Sequence, residues 1–185
     1  MKISETPLLG AYILENDIFR DNRGYFTCFY VEKDFKINKL NTKWVQLNNS
    51  LSLIKGTLRG LHLQYPPYSQ IKLIRTIKGS IFDVIVDIRP KSKTFGKYFS
   101  YILNCDNNKM LYIPKGFAHG FMTMENNTEI LYNVSELYAP DKEETIIWND
   151  QFLNIEWPNN PLELSAKDIK GINFNEINFD ILEQL

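Results

Sequence analysis

Apolar and polar residues alternate with a period of two through the middle of the chain, which is the pattern of a β-strand with two unlike faces. The alternation is clearest over residues 82–89, where one face carries Phe82, Val84, Val86 and Ile88. A second apolar segment covers residues 71–77, and Lys78-Gly79 between the two segments is a turn signal. The pattern therefore predicts that these two strands form a hairpin.

Five further apolar segments have the length of strands and are separated at short intervals by Gly, Pro, Asn and Asp. They cover residues 44–50, 98–103, 110–113, 117–123 and 129–134. Short strands with such punctuation predict an all-β sandwich or barrel. From about residue 165 the composition shifts to Lys, Asp, Asn and Glu, which predicts short C-terminal helices or turns packed on the barrel. No repeat or linker interrupts the chain, so residues 1–185 are expected to form a single domain.

Charge and composition narrow the classes of partner. The formal net charge is −1 and no block of like charges occurs, so neither a nucleic-acid binder nor a membrane-surface binder is expected. The apolar stretch at residues 8–14 is too short for a signal peptide or a membrane span, and a cytoplasmic location is expected. Cys28 and Cys105 lie in different segments without CxxC spacing, which indicates reduced thiols rather than a disulfide or a thiolate metal site.

Cofactor-binding motifs are absent from the sequence. The nine glycines form neither GxGxxG nor GxxxxGK[ST], the loops that hold dinucleotide or nucleoside triphosphate phosphates. His62 and His119 are the two histidines, fewer than the three or four ligands that a bound transition metal usually takes. We therefore expect no cofactor and no metal, and a metal-dependent oxygenase with a similar barrel is disfavoured.

Both histidines lie in segments that combine several functional groups. Arg59-Gly60-Leu61-His62 is followed by Lys72, so a guanidinium, an imidazole and an ammonium are close in sequence, and strand alternation can direct them into one pocket. His119 lies among aromatic residues in a strand, turn and strand over residues 113–121. A single histidine is more often a hydrogen-bonded core residue than a catalytic one, but two such segments together favour a site.

Several motifs in order along the chain carry a resemblance to a known family. They are residues 19–26 (FRDNRGYF), 46–48 (QLN), 58–62 (LRGLH), 82–84 with 86–89, 113–121 (IPKGFAHGF), 138–140 (YAP) and 155–158 (IEWP). In these motifs the chain resembles dTDP-4-dehydrorhamnose 3,5-epimerases over nearly its whole length. The resemblance implies a cupin-type double-stranded β-helix, or jelly-roll, barrel. It also implies a nucleotide-sugar substrate and a homodimer that exchanges N-terminal strands, acting in rhamnose synthesis for lipopolysaccharide or O antigen.

The resemblance also implies the catalytic residues. It makes His62 the base, Asp168 its orienting carboxylate, Lys72 the cation that stabilises an enolate, and Tyr132 the proton donor. Two of these residues have structural alternatives. Ser165-Ala166-Lys167-Asp168 fits the capping box of a helix start, and Tyr132 alternates with apolar Ile130 and Val134, as a core aromatic would. Asp83 is either a partner of a pocket histidine or lysine or a satisfied polar residue in a strand.

Seven more residues fall on family positions that contact the nucleotide, the diphosphate or the sugar: Arg23, Gln46, Asn48, Arg59, His119, Glu143 and Lys167. Arg59 is the best physical candidate for the diphosphate because its fork matches phosphate oxygens, a surface salt bridge being the alternative. The family usually has a glutamate where this chain has Cys28, at the nucleotide end of the site. That departure leaves the choice of nucleotide open, and Cys28 could equally be a small apolar filler.

The expected function is cofactor-independent epimerisation of a nucleotide-linked 4-keto-6-deoxyhexose at carbons 3 and 5. An epimerase that inverts one carbon or uses a CDP- or GDP-sugar is the nearest alternative. From another class, a non-catalytic sugar-binding cupin could retain Arg59 and the barrel without an aligned acid and base.

Overall fold

The computed structural model describes all 185 residues, which form thirteen strands and three short α-helices. The strands are β1 (Lys2–Glu5), β2 (Tyr12–Glu15), β3 (Ile18–Asp21), β4 (Gly24–Thr27), β5 (Gln46–Ser52), β6 (Leu58–Gln64), β7 (Lys72–Lys78), β8 (Ser80–Asp87), β9 (Tyr98–Asn104), β10 (Lys109–Ile113), β11 (Phe117–Thr123), β12 (Thr128–Val134) and β13 (Glu143–Thr145). The helices are α1 (Glu32–Ile37), α2 (Ala166–Ile169) and α3 (Phe179–Leu182), with 3₁₀ turns at Pro140–Lys142 and Phe174–Glu176. The all-β prediction is confirmed. None of the helices has both the length and the apolar character that a membrane crossing requires.

Two antiparallel sheets enclose the main core between them. The first has the strand order β1-β2-β10-β7-β12-β5 and the second the order β13-β6-β11-β8-β9, while β3 and β4 form a hairpin outside both sheets. Ile74 and Ile130 from the first sheet and Ile81, Ile85 and Phe121 from the second belong to one buried cluster. The space between the sheets is therefore packed, as in a jelly roll.

The predicted hairpin between residues 71–77 and 82–89 is wrong. Both segments are strands, but β7 pairs with β10 and β12, whereas β8 pairs with β9 and β11 in the other sheet. Gly79 lies between them at φ +73°, and a Cβ there would be 2.6 Å from Thr128 Oγ1. Lys78-Gly79 is thus a corner at which the chain changes sheets rather than a turn between paired strands.

Strand β8 is buried on both faces, which explains its long apolar run. Ile81 and Ile85 point into the barrel, while Val84 and Val86 pack outside it in a second cluster with C-terminal residues such as Phe174. The predicted short C-terminal helices are confirmed as α2, α3 and a 3₁₀ turn. Because these elements cover the outer face of the second sheet, they bring Asp168 of α2 close to β6.

The N-terminal region shows where the sequence pattern is weakest. The other five predicted strands match β5 and β9 to β12 with ends within two residues, but β1 to β4, β6, β13 and α1 are not predicted. Helix α1 packs its buried Phe35 on the outer face of the first sheet, in a third cluster with Leu73 and Met110. Strands of three or four residues are too short to display a period of two, whereas the seven-residue β6 has its alternation interrupted at Gly60.

Candidate active site

His62 and Asp168 form a hydrogen-bonded pair. His62 lies on β6, and its Nε2 atom is 2.6 Å from Oδ1 of Asp168. The imidazole is 29% exposed and faces the pocket, whereas the carboxylate is 3% exposed behind it. The structure thus brings together two residues that are 106 positions apart, in the arrangement of a base and its orienting carboxylate.

The carboxylate of Asp168 is fixed on both oxygens. The Ser165 hydroxyl donates to Oδ2 at 2.8 Å, and the Gly60 amide donates to Oδ1 at 3.4 Å. Ser165 Oγ also accepts from the Asp168 amide at 3.1 Å, so Ser165 caps α2 at the same time. Burial favours a higher pKa for Asp168, but the hydrogen bonds from His62, Ser165 and Gly60 outweigh it and the pKa is lowered. Asp168 therefore belongs to the start of α2 and also pairs with His62, so the geometry fits both interpretations considered from sequence.

Gly60 is required for the shape of β6 at this point. Its φ is +115°, and a Cβ there would lie 2.6 Å from Gly120 Cα and from the His119 carbonyl oxygen. The pairing of β6 with β11 shifts register between His119 and Phe121. This irregularity lets Arg59 and His62, three positions apart, both face the pocket.

Lys72 begins β7 and is partly buried among the pocket residues. Burial lowers the pKa of Lys72 from 10.5 to about 8, although Glu143 and Asp83 oppose the shift. No carboxylate lies within 4.0 Å of its ammonium group. At neutral pH the side chain is therefore mostly charged and free to meet a developing negative charge.

Tyr132 lies on β12, in the sheet opposite to that of His62. Its neighbours across the strands are Asn48 on β5 and Ile74 on β7. Burial raises the pKa of the Tyr132 phenol, with Arg59 opposing the shift and Glu143 adding to it. The phenol is thus a protonated donor on the wall facing the imidazole.

His62, Lys72 and Tyr132 line two adjoining cavities. The mouth cavity has a volume of about 270 Å³ and is also lined by Gln46, Asn48, Leu63, Gln64, Gln70, Tyr138 and Glu143. The inner cavity has a volume of about 150 Å³ and is also lined by Ser50, Arg59, His119, Phe121 and Ile130. The three potential proton-transfer and charge-stabilising groups therefore lie at the junction of the two cavities.

Five of the predicted binding residues line these cavities, and a sixth lies beside them. Gln46 Nε2 donates to Asn48 Oδ1 at 2.7 Å on β5. Lys167 forms an ion pair with Glu143, whose Oε2 also accepts from the Tyr138 hydroxyl at 2.6 Å. Burial favours a higher pKa for Glu143, but the bonds from Lys167 and Tyr138 outweigh it and the pKa is lowered.

Arg59 has no carboxylate partner, so the surface salt bridge considered from sequence is not formed. Its Nε donates to Ser52 Oγ at 3.1 Å and one Nη donates to the Leu51 carbonyl at 3.2 Å. The guanidinium therefore has no counter-ion from the chain at the wall of the inner cavity.

His119 pairs with Asp83, and this contact answers the question that the sequence left open. His119 Nε2 lies 2.6 Å from Asp83 Oδ1, with both side chains buried. Asp83 Oδ2 has no hydrogen-bond partner. Burial lowers the pKa of His119, and Asp83 opposes the shift. Lys72 and His62 add to it, so a neutral imidazole is favoured there.

Arg23 is the one predicted site residue that lies away from the others. It follows β3 at the tip of the β3–β4 hairpin, is 85% exposed, and forms an ion pair with Asp21 at 2.6 Å. Cys28 lies just beyond β4 and is also exposed. Within one chain, neither residue reaches the cavities.

Comparison with known proteins decides the family. The sequence model described as dTDP-4-dehydrorhamnose 3,5-epimerase matches residues 5–176. The chain belongs to this family. A dTDP-4-dehydrorhamnose 3,5-epimerase of Shigella flexneri is 42% identical over 98% of this chain and 100% of the relative.

Solved structures of dTDP-4-dehydrorhamnose 3,5-epimerases share the fold. The Bacillus anthracis enzyme, with TDP and PPi bound, is 43% identical and has a TM-score of 0.90 over 93% of this chain and 98% of its own. The Legionella pneumophila dTDP-6-deoxy-D-glucose-3,5-epimerase, in complex with dTDP-4-keto-L-rhamnose, is 36% identical with a TM-score of 0.91 over 97% and 96%. These similarities confirm the expected cupin-type barrel.

Seven residues that line the cavities of this epimerase-family chain are not among the predicted site residues. They are Leu63, Gln64, Gln70 and Tyr138 in the mouth cavity and Ser50, Phe121 and Ile130 in the inner one. Tyr138 lies in the YAP motif, one of the motifs in which the chain resembles the family, so that motif could have indicated a site residue. Phe121 and Ile130 read as ordinary core residues because alternation does not distinguish a packed interior position from one beside a cavity. No group of three or more His, Cys, Asp or Glu side chains is arranged to hold a metal ion.

Proposed function

We propose that the protein is an isomerase that epimerises a dTDP-linked 4-keto-6-deoxyhexose at carbons 3 and 5 without a cofactor. The observation that carries the proposal is the arrangement of one pocket. The His62–Asp168 pair lies on one wall, Tyr132 lies on the opposite sheet, and Lys72 lines the same two cavities. Membership of the dTDP-4-dehydrorhamnose 3,5-epimerase family supports a dTDP-linked sugar as the substrate class.

The reaction begins with proton removal next to the ketone. In a 4-keto sugar the hydrogens on carbons 3 and 5 are acidic because the resulting carbanion is delocalised onto the carbonyl oxygen as an enolate. A neutral imidazole is a suitable base near neutral pH. Asp168 accepts a hydrogen bond from Nε2 of His62, which leaves Nδ1 as the proton acceptor and stabilises the imidazolium that forms.

Lys72 stabilises the enolate oxygen. Its ammonium group is partly desolvated and has no carboxylate within ion-pair distance, so its charge is not already neutralised by a close partner. A positioned charge of this kind can lower the activation barrier by about 3 kcal/mol or more. This stabilisation replaces the metal ion or electron sink that other carbanion chemistries use.

Inversion requires that the new proton arrive on the opposite face of the sugar ring. The Tyr132 phenol faces the pocket from the sheet opposite His62, and its raised pKa keeps it protonated at neutral pH. It can therefore deliver a proton to the face that the imidazole did not touch. A tyrosine with a purely structural role would be surrounded by packed side chains, whereas Tyr132 lines both cavities.

The remaining cavity residues bind the substrate in this proposal. Arg59 meets the diphosphate, since its guanidinium has no carboxylate partner and its fork suits phosphate oxygens. Gln46 and Asn48 on β5 contact the nucleotide or sugar, as do His119, Glu143 and Lys167. A non-catalytic sugar binder would have use for these residues but not for the aligned His62–Asp168 pair.

The proposal includes a cytoplasmic homodimer with exchanged N-terminal arms, in which Arg23 and Cys28 of one subunit complete the site of the other. Three aromatic residues on the β3–β4 hairpin support it, because Phe19, Tyr25 and Phe26 are 64%, 51% and 68% exposed in the isolated chain. Such clustered apolar exposure marks an association surface. The product would feed rhamnose synthesis for a surface polysaccharide such as O antigen.

Incubation in D₂O with dTDP-, CDP- and GDP-4-keto-6-deoxyglucose tests the proposed function. We expect deuterium at both carbons 3 and 5 of the dTDP-sugar, with inverted product, read by NMR. Exchange at one carbon alone, or preferential use of a CDP- or GDP-sugar, would identify the alternative epimerases. Tight binding without any exchange would show a sugar-binding protein and contradict the proposal.

A further inference from the structure

A third cavity lies outside the candidate active site, beside the second sheet. It is formed by the turn between β5 and β6, the end of β11 with the turn that follows it, and the segment at residues 159–162. Its volume is about 380 Å³, and it shares no lining residue with the mouth cavity or the inner cavity. Sites for small molecules have volumes of about 300–1,000 Å³, so the third cavity has the size of a ligand site.

Buried residues of β11 form the floor of the third cavity. Met122 and Thr123 are each 1% exposed, and Met122 belongs to none of the three hydrophobic clusters. Phe121 packs in the main core, so its neighbour Met122 points to the outer face of the sheet, where it lies across from Phe82 on β8. A buried side chain beside open space lacks contacts on one side, and a ligand in the cavity restores them.

Hydrogen bonds hold the walls of the third cavity in place. The Gly56 amide donates to the Thr123 carbonyl at 2.8 Å, and the Leu162 amide donates to the Gly56 carbonyl at 2.9 Å. Gly56 has φ +81°, and a Cβ there would lie 3.1 Å from Leu162 Cγ, so a larger residue would crowd this wall. The Lys55 amide donates to Asn126 Oδ1 at 2.8 Å, which ties the β5–β6 turn to the β11–β12 turn. The cavity is therefore preformed, as ligand sites usually are.

The rim of the third cavity carries one charge, and that charge is positive. Lys55 is the one ionisable residue of the lining, and no carboxylate lies within 4.0 Å of its ammonium group. Asn126 Oδ1 is occupied by the Lys55 amide, which leaves the Asn126 amide nitrogen as a donor, and Asn159-Asn160 adds two further side-chain amides. The carboxylates of Glu125 and Glu163 are close in sequence but do not line the cavity. The rim therefore suits an acidic group.

We propose that the third cavity binds a small organic monocarboxylate with an apolar body, such as an aryl- or alkyl-carboxylic acid. The body lies against Met122, Ile54 and Leu162, and the carboxylate meets Lys55 and the asparagine amides at the rim. Ile54 and Leu162 are 48% and 73% exposed, so the ligand removes apolar surface from water. The single ammonium group matches the single negative charge of the ligand. This site does not depend on the proposed epimerase activity.

Methionine methyl groups report on the third cavity directly. The chain has four methionines, of which Met122 and Met124 line the cavity, whereas Met1 and Met110 lie in the cluster on the first sheet. The protein is labelled with ¹³C at its methionine methyl groups and titrated with 4-phenylbutyrate. We expect saturable NMR shifts of Met122 and Met124 with a Kd on the order of 1 mM, and unchanged signals from the other two. Equal shifts at all four methionines, or no shift at Met122 and Met124, would overturn the proposal.

A neutral probe and a pair of lysine variants test the role of the charge. The probe 4-phenylbutyramide has the shape of 4-phenylbutyrate without its charge, and it should bind the wild-type protein roughly three- to fivefold more weakly. Lys55→Gln should remove this difference. Lys93→Gln changes an exposed lysine that is not in the lining and has no ion pair, so it should keep the difference. Equal binding of both probes to the wild type, or an unchanged difference in Lys55→Gln, would contradict the assignment of a carboxylate to this rim.

Repeating the titration with saturating dTDP separates the third cavity from the candidate active site. The shifts of Met122 and Met124 should persist, because the two sites share no lining residue. Loss of these shifts in the presence of dTDP would place the probe in the candidate active site and overturn the proposal.

Discussion

Oδ1 of Asp168 lies 2.6 Å from Nε2 of His62, while Oδ2 of the same carboxylate accepts a hydrogen bond from Ser165. One buried carboxylate therefore links the start of α2 to His62 on β6. This link holds the imidazole in one orientation and one tautomer.

Substitution of Asp168 with asparagine should separate catalysis from stability. The variant keeps the shape of the side chain but loses the charge that stabilises the imidazolium, so turnover should fall by roughly 10³- to 10⁴-fold. The free energy of unfolding, measured by denaturant titration, should decrease by only about 1 kcal/mol.

Ser165→Ala is the matched control for this prediction. It removes the cap and one bond to Asp168 but leaves the charge, so it should cost about 1 kcal/mol of stability with far less effect on turnover. Normal turnover in Asp168→Asn with a lowered melting temperature would show that Asp168 only supports the Ser165 cap of α2.

The pH dependence of activity should report the protonation state of Lys72. Burial lowers the pKa of Lys72 to about 8, so the ammonium group is lost as the pH rises through that value. The raised pKa of Tyr132 keeps the phenol protonated over the same range. The rate of deuterium exchange should therefore fall above pH of about 8. A rate that stays constant to pH of about 10 would contradict the lowered pKa of Lys72.

Stability should follow the opposite trend over this pH range. The pKa of Lys72 is lower in the folded chain than the ordinary 10.5, so the unfolded chain binds more protons between the two values. The free energy of unfolding should therefore gain a contribution from Lys72 as the pH rises from about 8 to 10.5. Lys72→Met should remove this contribution, and an unchanged pH dependence in that variant would contradict the lowered pKa.

Chelation should leave activity unchanged. Enolisation next to a ketone needs a base and a stabilising charge, the roles that we propose for His62 and Lys72, and no cluster of three metal-ligating side chains is present. The measurement is turnover after prolonged treatment with a chelator. Loss of turnover that a divalent ion restores would overturn the cofactor-free mechanism.

Exchange of N-terminal arms can be tested by mixing two defective subunits. Arg23→Ala should raise KM through weaker nucleotide binding, and His62→Asn should abolish turnover. If Arg23 serves the partner's site, mixed dimers contain one site with both an intact base and an intact arginine. The KM should then return to the wild-type value at those sites. Without arm exchange, every site in the mixture keeps a defect and the KM stays raised.

The positions of strands could be predicted where apolar and polar residues alternate and where Gly, Pro, Asn and Asp residues separate the segments. The strands β5 and β7 to β12 show a clear pattern, but β1 to β4 are too short to show one. The pairing of β7 and β8 was mispredicted because alternation reports the faces of a strand and not its partner. Gly79 has the same signature at a corner between sheets as in a hairpin turn.

The candidate site could be predicted mainly through the family motifs. Physical reasoning alone identified four functional candidates: Arg59, His62, Lys72 and His119. It could not place Asp168, which is distant in sequence and resembles a helix cap. The partnership of Asp83 with His119 depends on the register of β8 against β11, which pairs Asp83 with Phe121 and leaves His119 within reach. Such cross-strand relations arise only from tertiary structure.

Transfer of protons to opposite faces by His62 and Tyr132 is the central claim, and Tyr132→Phe tests it most directly. The variant keeps the ring and its packing but lacks the proton donor. His62 can still remove a proton and return deuterium from D₂O to the same face. The measurement is the ratio of deuterium incorporated to epimer formed, at carbons 3 and 5 separately. We predict that exchange continues while formation of the inverted sugar falls much further; a parallel decline of both quantities, or no decline in either, would contradict the assignment.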